Sequence, residues 1–116
     1  MFRMPIEPTL ILANGESFDD PFIATPGQRY QMQAVVEFDT PPKVGERVDF
    51  YIGASPTEDV GVSQFVGSLI SHSSNTSVME NVVGFFTAPP EHGHIIVKNE
   101  TSGTVADYKV EMTGIF

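Results

Sequence analysis

The chain has no cysteine and no tryptophan, and it carries six lysines and arginines against fifteen aspartates and glutamates. Each shortage removes something. Without cysteine there is no disulfide framework, no thiolate zinc site and no cysteine nucleophile. A single domain of 116 residues buries roughly two thirds of the surface its unfolded chain exposes, so it needs no covalent staple to hold a core. The shortage of basic residues leaves a formal charge of −9. That balance repels phosphate backbones, so no nucleic-acid partner is expected. The acidic residues are scattered, which serves solubility first and complementarity to a basic partner second. No apolar run approaches the roughly 20 residues that span a bilayer. The segment Met1-Phe2-Arg3-Met4-Pro5 is too short, and too broken by Pro5 and Pro8, to act as a signal peptide. A soluble protein with no membrane partner is expected.

Helical periodicity is missing as well. No window carries apolar residues at i, i+3, i+4 and i+7 over three turns, and nine prolines and ten glycines are spread along the chain. What recurs is short period-two alternation between turn residues, the mark of an all-β sandwich or barrel. Residues Arg29 to Phe38 place Tyr30, Met32, Ala34, Val36 and Phe38 on one face. Residues Glu46 to Ala54 point Val48, Phe50 and Ile52 inward and Arg47, Asp49 and Tyr51 outward. The short link through Pro41-Pro42 and Gly45 predicts that these two strands form an antiparallel hairpin. Further strands are expected over Gln64 to Ser71, Ser77 to Thr87, His94 to Glu100 and Val105 to Ile115, the last with Ala106, Tyr108, Val110 and Met112 on one face. A short one is expected at Thr9 to Ala13. The fold class is therefore one antiparallel β-sandwich, jelly-roll or immunoglobulin-like, of about seven or eight strands. It forms one domain over residues 1–116, with an irregular stretch over 1–27 and the main sandwich over 28–116. The polar stretches Gly53 to Ser63 and Ser71 to Ser77 are the expected mobile loops.

Catalytic chemistry finds little footing. There is no Gly-x-Ser-x-Gly elbow, and Ser55 reads as a turn residue. His92 and His94 flank Gly93 beside Glu91, but two imidazoles without a third clear ligand leave zinc under-coordinated. His72 reads as a solvated loop residue. Asp19-Asp20 and Glu58-Asp59 lack the calcium-loop pattern, and the first pair is expected to cap a turn. No glycine-rich loop opens a helix to cradle phosphate. The sequons at Asn75 and Asn99 are taken as chance. The expectation is a protein that is not an enzyme and has no catalytic residue, metal or cofactor.

Apolar residues in irregular stretches and near the chain ends suggest docking, because such segments are polar and disordered unless something holds them. The candidate protein-interface residues are Phe2, Met4, Ile6, Phe18, Phe22 and Phe116. Ile115 is expected to dock against its own domain, and Phe2 and Met4 against a neighbour.

One series of strand and turn residues carries a resemblance. It runs from Gly45-Glu46-Arg47-Val48-Asp49-Phe50-Tyr51 through Ala54-Ser55-Pro56 to Phe65-Val66-Gly67-Ser68. It continues with Gly84-Phe85-Phe86-Thr87-Ala88-Pro89-Pro90 and Gly93-His94-Ile95-Ile96-Val97-Lys98-Asn99. Over roughly residues 28 to 113 this resembles a group of small β-sandwich structural proteins of tailed bacteriophages. Two departures are a short polar loop after Ser55, where those proteins tend to carry longer insertions, and His92 at their aromatic position before Gly93. The resemblance implies a virion protein made in the host cytoplasm. Its first role would be a homo-oligomeric decoration or cement protein that binds the major capsid protein or other virion proteins on the outside of the shell. A tail or neck component is the alternative. A carbohydrate-binding module is a further one, for which the missing tryptophan leaves Tyr51 as the outward aromatic.

Overall fold

A computed structural model describes residues 2–4, 17–22, 25, 27–53, 64–75, 77–89 and 93–115, with the backbone alone for 2–4, 17–22, 93 and 94. The strands are β1 (Phe2–Met4), β2 (Ser17–Phe22), β3 (Arg29–Thr40), β4 (Arg47–Gly53), β5 (Gln64–Ile70), β6 (Val78–Thr87), β7 (Gly93–Asn99) and β8 (Thr104–Ile115). They form two four-stranded antiparallel sheets, ordered β1-β8-β3-β6 and β2-β7-β4-β5.

Alternation places side chains as the sequence predicts in β3 and β4. Tyr30, Met32, Ala34, Val36 and Phe38 are buried, as are Val48, Phe50 and Ile52. They meet Leu69, Val83, Phe86, Ile95, Val97, Tyr108, Val110 and Met112 in one core shared by the two sheets. The hairpin expectation is wrong. β3 and β4 lie in different sheets, and the link through Pro41 to Glu46 passes from one sheet to the other. Two prolines supply no N–H, so the β3 ladder cannot continue into the link. Beyond them the turn closes through Glu46 N–H to Lys43 O (3.2 Å), with Gly45 at φ +86°, the left-handed geometry a type II turn requires. Gly45 N–H and Glu46 O then pair with Ser71, which commits the chain to the β5 side.

Ala106 differs from expectation too. Glu37 pairs with Asp107 and Phe38 with Val105, so Ala106 is skipped in the ladder. The bulge turns Ala106 out and brings both Val105 and Tyr108 inward.

The N-terminal stretch is more regular than expected. Phe2–Met4 pairs with β8 through Phe2 opposite Met112 and Met4 opposite Val110. Ser17–Phe22 pairs with β7, and Asp19 and Asp20 stand in that ladder opposite Ile96 and Ile95 instead of capping a turn. Pro21 is tolerated because β2 is the last strand of its sheet, where one side of the backbone needs no ladder partner. The strand expected at Thr9 to Ala13 lies outside the described residues.

Candidate interaction surface

β5 and β6 end their respective sheets, and the two edges adjoin. They run antiparallel and meet backbone to backbone at two glycines. A Cβ on Gly67 would overlap the Val83 carbonyl oxygen, and one on Gly84 would overlap that of Val66. Further along, the Gln64 carboxamide behaves like a strand residue. Its Oε1 accepts from Thr87 N–H (3.3 Å) and its Nε2 donates to Thr87 O (3.5 Å). The two sheets are thus closed on each other along this side.

Each of the two strands carries a bulge. Phe50 pairs with Gly67 and Tyr51 with Phe65, which skips Val66. Met32 pairs with Gly84 and Gln33 with Val82, which skips Val83. Both strands along the seam expose large apolar side chains to solvent: Phe65 (56% exposed) and Ile70 (50%) on β5, and Val78 (48%), Val82 (38%) and Phe85 (49%) on β6. A groove of about 180 Å³ opens between the strands at one end, lined by Ser68, Leu69, Ile70, Met79, Glu80 and Asn81. The seven residues of β5 and the ten of β6 carry one formal charge between them, that of Glu80. Edge strands are ordinarily blunted with charge, lysine above all. In a chain of net charge −9, the outward apolar and almost uncharged surface of these two adjoining strands is the candidate interaction surface.

The polar clusters elsewhere serve structure. Asp49 is buried although it points away from the core, and it accepts from the Ser68 hydroxyl (2.6 Å) and Arg47 Nε (2.9 Å). Tyr51 packs edge-on against Phe65 at 5.4 Å, and burial followed by the Asp49 charge raises its phenol above the usual range. The Glu46 carboxylate accepts from Lys43 N–H (2.6 Å), Ser102 N–H (3.0 Å) and the Ser102 hydroxyl (2.7 Å), so it ties together the loops on either side of it. Those bonds, the Lys43 one foremost, hold its carboxyl below the ordinary value of 4.5. Asn99 is fully buried. Its amide donates to Gly103 O (3.0 Å), while its oxygen accepts from Thr101 N–H (2.9 Å) and the Thr101 hydroxyl (2.6 Å). That sequon is a loop brace, inaccessible to a glycosyl transferase in the folded protein.

Among the described residues no three of His, Cys, Asp and Glu gather as a metal site would require, and no helix is long and apolar enough to cross a membrane. His72 is exposed, and His92 lies outside the described residues.

The expected interface residues fall elsewhere. Phe2 and Met4 in β1, and Phe18 and Phe22 in β2, sit on the strands at the far edges of the two sheets from β6 and β5. Ile6 and Phe116 lie outside the described residues. Ile115 is 41% exposed at the end of β8, opposite Arg29, and so is only partly docked on its own domain. The ridge had a signal in the sequence: from Val60 to Pro90 the chain holds one formal charge. Knowing that β5 and β6 adjoin is what turns that gap into a surface.

No protein-family model matches this chain, and no curated protein matches it.

Proposed function

We propose that the domain is a jelly-roll β-sandwich that acts without catalysis, as a structural protein assembling with other proteins. The orders β1-β8-β3-β6 and β2-β7-β4-β5 support the jelly-roll form over the immunoglobulin-like one. They amount to eight strands wound as two Greek keys, an arrangement found in viral capsid and lectin domains. The observation that carries the binding role is the uncharged apolar ridge on β5 and β6.

The specific setting is a bacteriophage particle, where the protein decorates or cements the capsid shell. That setting rests on the sequence resemblance and on fold-level analogy. Many weak contacts repeated over a shell hold such a protein by avidity. Purified protein mixed with expanded shells should bind at a fixed ratio and raise their melting temperature. Shells that bind none of it would end the capsid role. Copy number in the particle separates the shell role from the tail or neck alternative, hundreds of copies against about a dozen for a tail ring.

A further inference from the structure

We propose that the occupant of the β5–β6 ridge is a second copy of this chain, related by a two-fold axis through the middle of the ridge. The inference rests on the ridge being a docking surface, and two features choose the partner.

The first is electrostatic. Two copies of a −9 chain repel wherever their acidic surfaces meet. The ridge carries one charge, that of Glu80, so like molecules can approach there with little penalty. A basic partner gains most on the acidic remainder of the molecule and least on an uncharged strip.

The second is shape. Phe65 and Phe85 stand at the end of the ridge closed by Gln64 and Thr87, while the groove opens at the other end beside Ile70 and Met79. Phe65 and Ile70 lie five positions apart on β5, about 17 Å for an extended strand. A two-fold axis near Gly67 and Val82 lays the aromatic end of each copy over the groove of the other. This is the self-complementarity an isologous dimer requires, with a protrusion and its recess on one surface, equally far from the axis. The same axis keeps the two Glu80 carboxylates on opposite sides of it, each two positions from Val82 along β6, about 7 Å for an extended strand.

The absence of cysteine allows a clean test on the full chain. Val82→Cys should form a disulfide-linked dimer on mild oxidation, since residues beside a two-fold axis come within disulfide reach of themselves. Val44→Cys, at a 63% exposed valine in the turn before β4, should not. In sedimentation equilibrium the unaltered protein should dimerise, and Val82→Lys should raise the dimer dissociation constant at least about tenfold by placing two ammonium groups together. If Val82→Lys does not keep the circular dichroism spectrum of the parent, the cysteine pair decides alone. A monomer at every concentration, or equal cross-linking of the two cysteine variants, overturns the pairing. A dimer that binds no shell would remove the capsid role and leave the pairing intact. A monomer whose shell binding is abolished by Val82→Lys would do the reverse.

Discussion

Gly67 and Gly84 face each other's strand across the β5–β6 seam, each against the backbone carbonyl beside the other, at Val83 and Val66 respectively. Neither site has room for one more carbon. Gly67→Ala and Gly84→Ala should each lower stability by about 1–3 kcal/mol, the range for overpacking a site that cannot yield. Urea denaturation followed by circular dichroism measures this directly. Because the strands must part to admit a methyl group, both variants should also weaken self-association.

Asp49 accepts from Ser68 and Arg47 in a buried position, and removing either side of such a bond leaves a donor or a buried acceptor without its partner. Asp49→Ala should destabilise by about 1–3 kcal/mol and Ser68→Ala by about 1 kcal/mol. Arg47 is largely exposed at its side chain (55%), so Arg47→Ala should cost less than either. Thermal melts of the three variants test the order.

Glu46 gives the protein an acid-sensitive contact. Its folded carboxyl titrates below the ordinary 4.5 because the Lys43 N–H and Ser102 bonds favour the charged form. A carboxylate depressed by folding adds stability above its unfolded value, and that contribution is lost as pH falls through the folded value. Denaturation midpoints should therefore decline as pH drops below 4.5, and Glu46→Gln should remove part of that decline. A Glu46→Gln profile parallel to that of the parent would contradict the assignment.

The two sequon asparagines should behave differently. Asn99 braces the β7–β8 loop from a fully buried position, and Asn99→Ala should cost about 1–3 kcal/mol. Asn75 lies exposed in the β5–β6 turn, and Asn75→Ala should stay within about 0.5 kcal/mol of the parent. Paired urea titrations compare them.

Much of the strand layout was legible because alternation reports directly which side chains face a core. Tyr30, Met32, Ala34, Val36 and Phe38 needed nothing more. Alternation does not report which sheet a strand joins. β3 and β4 bury the same kind of face from opposite sides of one core, and the expected hairpin failed for that reason. The bulges that skip Val66, Val83 and Ala106 were hidden as well, since one extra residue shifts the phase without leaving a residue-type signature. The surface was half legible. Its missing charges are plain between Val60 and Pro90. The residues expected from irregular apolar stretches, Phe2, Met4, Phe18 and Phe22 among them, lie instead on β1 and β2 at the far edges of the two sheets.

The pairing of β1 with β8 also sets a schedule. Met4 lies opposite Val110, 106 positions later in the chain. A contact closed over so long a loop has to wait for most of the chain to be in place, which is why sheets of this kind fold in milliseconds to seconds and not in microseconds. Until β8 docks, β1 has no ladder to join and the neighbouring edge of β3 stays open. β1 can therefore join its sheet only once β8 is in place.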